Sequence, residues 1–140
     1  MRHVLVPFDG SEPAERALDH VAAQFPDARV TLLTVIDPSA GFATGAGTPG
    51  TAEVWYESVR ERAETNLAEA RAEAEARGLR VDTVVETGRP AATIVDYAEK
   101  HGAESIVMGS HGRRGVSRLL LGSVAESVVR RSSVPVTVVP

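Results

Sequence analysis

The residues best suited to chemistry lie together in one stretch, Gly109 to Ser123 (GSHGRRGVSRLLLGS). Gly109, Gly112, Gly115 and Gly122 punctuate it, and glycine lets a backbone approach phosphate oxygens closely or adopt positive φ, so that consecutive amides can converge on an anion. At its far end the free amides around Ser123 and Val124 add the positive terminus of a helix, and the Ser123 hydroxyl adds a donor. Between Gly109 and Arg131 stand Arg113, Arg114, Arg118, Arg130 and Arg131 against Glu126 alone, a local charge of +4. The plainer alternative is a surface loop with a serine N-cap. The strand–loop–helix setting and the local charge favour an anion site.

Two better-known phosphate patterns are set aside. G-x-x-x-x-G-K-[ST] is absent, since the only lysine is Lys100. Gly45, Gly47 and Gly50 spell G-x-G-x-x-G, but Pro49 sits inside the pattern and it lies well past the preceding strand, so the tight strand–turn–helix geometry is missing. Arg113, Arg114 and Arg118 are suited to clamp a polyphosphate; a solvated loop face explains them equally well. His111 sits in the loop as a phosphate donor or a base, yet a lone histidine without an orienting partner reads more simply as an exposed loop residue. His3, His20 and His101 form no metal-ligand spacing.

The elements that must position these residues alternate regularly. Strand signals cover His3–Phe8, Arg29–Ile36, Leu79–Val85, Ser105–Met108 and Val134–Val139. Helical signals follow Ser11 (a stripe from Ala14 to Phe25), run from Ala52 to Arg77, follow Gly88-Arg89-Pro90, and cover Ser123–Arg131. Residues 39–51 are small, glycine-rich and aperiodic, and read as a flexible loop within about 38–51. Strands separated by single helices are most economically parallel, with right-handed crossovers. The expected fold is therefore a single α/β domain over 1–140, a doubly wound parallel five-stranded sheet in the order 3-2-1-4-5 with helices on both faces. In such a sheet ligands bind where the connections change sense, between the carboxyl ends of strands 1 and 4. Asp9 and Gly109 stand at those two ends. Asp9 has a plainer reading as a cap of the first helix.

Composition bounds the rest. The chain has 140 residues and a formal charge of −4, with 10 basic and 18 acidic side chains before residue 109. An acidic chain with one basic glycine-bearing segment suits a local anion site more than a nucleic-acid surface. None of the six aromatics (Phe8, Phe25, Phe42, Trp55, Tyr56 and Tyr97) interleaves with the arginines, which argues against base-stacking platforms. Cysteine is absent, which excludes disulfides, thiolate metal sites and cysteine nucleophiles. The apolar run Val4–Phe8 is far short of the roughly 20 residues a bilayer needs, so the expectation is a cytoplasmic protein with neither membrane nor nucleic-acid partner.

From HVLVPFDGSEPAERAL through SIVMGSHGRRG to LLGSVAESVVRRSSVPVTVV, the chain resembles the universal stress proteins along nearly its whole length. Its most specific match is the family's ATP-binding pattern G-x2-G-x9-G-[ST], met by Gly109, Gly112, Gly122 and Ser123. The resemblance implies the ATP-binding branch, a Rossmann-like fold of the adenine nucleotide alpha hydrolase type, and a homodimer holding one nucleotide per subunit in stress resistance or signalling. It further implies that Asp9 contacts the ribose or adenine region and Pro7 lines the base pocket. Val35 would meet the adenine through its backbone, and Met108 would stand at the entrance to the glycine loop. Ser123 and Val124 would hold the distal phosphates. For Val35 and Met108 a simple core role is the plainer reading.

Three functional classes follow. The first is an ATP-binding regulator or sensor acting through a homodimer. The second is a slow ATPase, with Asp9 holding Mg²⁺ indirectly; hydrolysis also needs a group to position water, and no second acid stands beside the loop, so binding is placed ahead of catalysis. The third is a ligand-independent interaction module, since Val134–Val139 would be an open sheet edge, where the resemblance also places the dimer contact.

Overall fold

The computed structural model describes residues 2–43, 50–111 and 121–140. In chain order these form β1 (His3–Pro7), α1 (Glu12–Gln24), β2 (Arg29–Ile36), α2 (Ser39–Ala43), α3 (Thr51–Ala76), β3 (Arg80–Thr87), α4 (Pro90–Lys100), β4 (Ser105–Gly109), α5 (Ser123–Arg131) and β5 (Val136–Val139). Local signals set the boundaries. Ser11 caps α1, its side chain accepting the Ala14 N–H at 3.3 Å, and Pro13 occupies the first turn where no helical donor is lost. After α3 the chain turns through Gly78 at φ +90°, with Gly78 N–H donating to Glu75 O and Leu79 N–H to Ala74 O. That bond pair is a Schellman motif, and its positive φ is what selects glycine.

All four strand pairings are parallel and the sheet order is β3-β2-β1-β4-β5. This is the doubly wound order expected from the alternation of strands and helices. Alternate strand residues feed two cores. Val4 and Val6 pack with Val21 of α1 and Leu67 of α3, while Leu5 and Leu33 pack on the other face with Ile94 of α4 and Val128 of α5. Because the central strands are buried on both faces, they read as unbroken apolar runs.

Three details differ from the sequence expectation. The supposed loop after β2 begins with α2, started by the Asp37 carboxylate, which accepts both the Ser39 N–H (2.9 Å) and the Ser39 hydroxyl (2.7 Å). β5 begins at Val136, because Pro135 has no N–H to give the ladder and contributes only its carbonyl, to Ile106 N–H at 2.9 Å. On α3 the apolar stripe is buried only from Ala63 onward; Trp55 and Val59 are half-buried. Among the described residues no helix is long and apolar enough to cross a membrane.

Candidate functional site

The crevice begins with the way β1 ends. The β1–β4 ladder pairs only Val4 with Ser105 and Leu5 with Ile106, whereas β1 and β2 pair over five residues. Glu104 N–H donates to His3 O, so His3, Leu5 and Pro7 present their backbone toward β4. Pro7 has no N–H and cannot extend that ladder. Beyond this point β1 and β4 part, and a cavity of about 440 Å³ opens between their carboxyl ends. Its volume lies within the usual range for small-molecule sites, and its position is the topological switch point of the sheet.

The walls of the cavity differ in chemistry. Leu33 and Val35 of β2, Pro90 and Ile94 of α4, Met108 of β4 and Ala125 of α5 make an apolar wall. Main-chain groups supply polarity beside it. In a parallel strand alternate residues bond to opposite neighbours. Phe8 N–H donates to Leu33 O and Gly88 N–H to Ile36 O, so the Val35 peptide groups are turned toward β1, past its last paired residue. By the same alternation Ser110 N–H reaches Val139 O on β5, and the Gly109 groups are turned toward the crevice.

The third wall is the start of α5. Its first helical bond runs from Glu126 N–H to Gly122 O at 2.9 Å, and among the described residues no side chain caps the terminus. The amides of Ser123, Val124 and Ala125 precede that bond and point along the axis into the cavity end of the helix. Ser123 is the first residue of α5 and Gly122 its cap, which removes the serine N-cap as the explanation of Ser123.

Nine of the eleven residues expected from the sequence line this cavity: Pro7, Asp9, Val35, Met108, Gly109, His111, Gly122, Ser123 and Val124. Gly112 and Arg113 lie outside the described residues, as do Gly115, Arg114 and Arg118. Two glycines have a structural cause of their own. A Cβ on Gly109 would lie 2.6 Å from Pro13 Cβ, and one on Gly122 would lie 2.5 Å from Ser110 O. Neither has positive φ. Close chain approach, then, is what selects glycine at both ends of the loop. Asp9 is exposed and its Oδ1 accepts the Ser11 N–H at 3.0 Å, so it shapes the turn into α1 while standing at the mouth of the cavity. Of the five arginines behind the local charge, Arg130 and Arg131 lie in the last turn of α5, away from the cavity, and Arg130 pairs with Glu126 at 2.8 Å.

Sequence reasoning passed over Ser110, Leu33, Pro90, Ile94 and Ala125, which also line the cavity. Leu33 was reachable by period two from Val35, and Ile94 by helical spacing from Pro90.

The family model for universal stress proteins matches residues 1–140. The chain belongs to the universal stress protein family. Universal stress protein MJ0531 of Methanocaldococcus jannaschii is 37% identical over 141 residues, covering 99% of this chain and 81% of that protein. The solved structure of MJ0577 from the same organism superposes with a TM-score of 0.85 at 35% identity, covering 99% of this chain and 94% of that one. A universal stress protein solved in complex with cAMP aligns at 28% identity and a TM-score of 0.66, over 99% of this chain and 95% of that chain.

Proposed function

We propose that this universal stress protein binds an adenine nucleotide, ATP in the first instance, in the crevice between β1 and β4, and that occupancy regulates its behaviour as a stress-response sensor. The observation that carries the reading is the meeting of three features in one cavity. An apolar wall suits a flat base, and the peptide edge of Val35 offers a donor and an acceptor beside it. The uncapped start of α5 suits phosphate. The cAMP complex of a family relative supports an adenine nucleotide as the ligand class. In this reading Pro7, Val35 and Met108 flank the base, Asp9 the sugar, and Gly109, Gly112, Gly122, Ser123 and Val124 the phosphates, with Arg113 reaching them from the loop. Asp9 is the carboxylate that would hold Mg²⁺, through water, beside the phosphates.

Binding is placed ahead of turnover. Among the described lining residues the one carboxylate is Asp9, already engaged by the Ser11 amide, and a hydrolase must also position its water. The working form is read as a cytoplasmic homodimer joined through β5, an edge strand of four residues without a charged side chain.

The direct experiment is mass spectrometry of small molecules released from freshly purified protein. An adenine nucleotide near one per chain is the expected result. A flavin, or empty protein that millimolar ATP fails to bind by calorimetry, would overturn the reading.

A further inference from the structure

The sheet has a second edge, at β3, and only charge guards it. β3 pairs with β2 in an unbroken register of eight residues, against four in β5, and contains neither proline nor glycine. Proline, bulges and short length are the usual devices that keep an edge strand from pairing with another chain. The alternation of a parallel ladder shows which groups are on offer. Gly88 N–H donates to Ile36 O, so the even-numbered residues of β3 turn their peptide groups toward β2. Those of Val81, Thr83 and Val85 therefore face away from the sheet. The charges are Arg80, Asp82 and Glu86, all exposed, on the side of the sheet where α4 packs on β2.

Charge at an edge selects registers. A second copy that meets β3 about a two-fold axis runs antiparallel to it, and main-chain bonds require the outward-facing residues to stand opposite one another. An axis at Asp82 sets that carboxylate against its own copy, and an axis at Val84 sets Asp82 against Glu86; like charges directly opposite are unfavourable. An axis at Thr83 does the reverse. It puts Arg80 opposite Glu86 twice, Val81 opposite Val85 twice and Thr83 opposite itself, with about six main-chain bonds between them. Within one chain Asp82 already pairs with Arg29 at 3.9 Å, whereas Glu86 enters no ion pair among the described residues.

α3 borders the same edge and repeats the pattern. Its inner flank meets α1, where Arg77 pairs with Asp19 at 2.7 Å and Asn66 and Glu73 share a cleft with Leu18. Helical spacing puts Arg60, Glu64, Arg71 and Glu75 on the opposite flank. Tyr56 OH meets Thr87 Oγ1 at 2.7 Å, and the turn at Gly78 brings the other end of the helix back to Arg80, so the level of Thr83 falls near the middle of α3. The axis at Thr83 then turns Arg60 toward Glu75 of the second copy and Glu64 toward its Arg71, opposite signs throughout.

We infer that β3 is an interaction surface for a second copy of this chain, which pairs with it as an antiparallel strand centred on Thr83. The surface is separate from β5 and independent of the nucleotide reading. A narrow strip of backbone and a few side chains make it a weak contact of the transient class. Where β5 joins a pair, β3 would join pairs to one another, and the crevice between β1 and β4 stays open.

The chain has no cysteine, so one can be placed at will. Full-length Thr83→Cys, treated with a short bis-maleimide at about 100 µM protein, a concentration suited to a weak contact, should give a covalent dimer. Ala72→Cys, exposed on α3, should not. The link joins position 83 to position 83 and reports β3 whether or not β5 pairs. On proteins with native circular dichroism, adding Glu86→Arg or Arg80→Glu to Thr83→Cys should each cut the yield about tenfold, because each sets like charges across the axis twice. The double exchange, Arg80→Glu with Glu86→Arg, should restore it. Cross-linking no greater at position 83 than at position 72 would overturn the inference. A double exchange as poor as the single changes would do the same, since it would show that the two residues do not face each other across the axis.

Discussion

Gly122 is confined by a contact and not by its torsion angles. Its φ of −64° is open to any residue, but a Cβ there would meet a backbone oxygen, Ser110 O, at 2.5 Å. The atom it would strike is fixed by the hydrogen bond from Gly122 N–H, so relief requires the whole turn into α5 to move. Gly122→Ala should therefore cost about 1–3 kcal/mol, the usual range for overpacking, in chemical denaturation, and should weaken ATP binding with it. A variant of full stability would show that the turn yields. A different residue-scale prediction concerns His3, buried with Nε2 2.9 Å from Thr31 Oγ1. Burial, and then the nearby Arg29 charge, push its proton affinity below the ordinary imidazole value of 6.5, against smaller opposing effects of His101 and Asp82. The folded protein holds His3 neutral while the unfolded chain takes up the proton, so this contribution to stability is present above about pH 6.5 and declines as pH falls through the ordinary histidine range. His3→Gln should flatten the fall in denaturation midpoint between pH 7 and 5. A slope identical to wild type would exclude His3 as its source.

At the scale of elements, the proposed homodimer turns on β5, the edge strand of the sheet. Pro135 O and Val139 O are used by β4 partners, so by alternation the peptide groups of Val136 and Val138 face away from β4, along the open edge of the sheet. The same two side chains pack with the α4–α5 core, so a charge at either position would disturb folding as well as the edge. Val138→Pro is the cleaner probe, for it removes one outward donor and no ladder bond. It should shift sedimentation from dimer toward monomer while circular dichroism stays native; a persisting dimer would place the interface elsewhere. The strands and the order of the sheet were legible because apolar runs, caps and glycine stops all agree with one winding. α2 was not, because the glycines after β2 outweighed the Asp37-Pro38-Ser39 start signal, and Gly41 is there for another reason: a Cβ would sit 3.1 Å from the Trp55 ring. At the site, the glycine spacing and Asp9 could be read directly. Ser110 could not, since a serine between glycine and histidine reads as loop filler until its burial and its 2.9 Å contact with His111 Nδ1 are known.

Over the whole molecule, the sheet is weakest at its central seam, between β1 and β4. β1, β2 and β3 are joined by ladders of five and eight residues, yet β1 meets β4 through a two-residue register. The helices reinforce that seam only partly: α1 packs across it onto β4, while α4 reaches β2 and α5 on the other face. The cavity spans the same seam, drawing its lining from β1, β2, β4, α4 and α5. A ligand seated there would bridge two halves that are otherwise joined by few strand bonds. Binding linkage sets the size of the effect: at 100 times its dissociation constant a ligand adds about 2.7 kcal/mol, which in a domain of this size raises the melting temperature by roughly 5–10 °C. The bridging geometry predicts where the gain falls. Under saturating ATP, amide exchange should slow most at the carboxyl ends of β1 and β4 and in the first turn of α5, and least in α3, which packs on the far side of β2 and β3. Adenosine, lacking the phosphate that reaches α5, should protect β1 and β2 but not α5. Uniform slowing across α3 and α5 alike would mean that the ligand stabilises the fold globally and that the seam is not the element it joins.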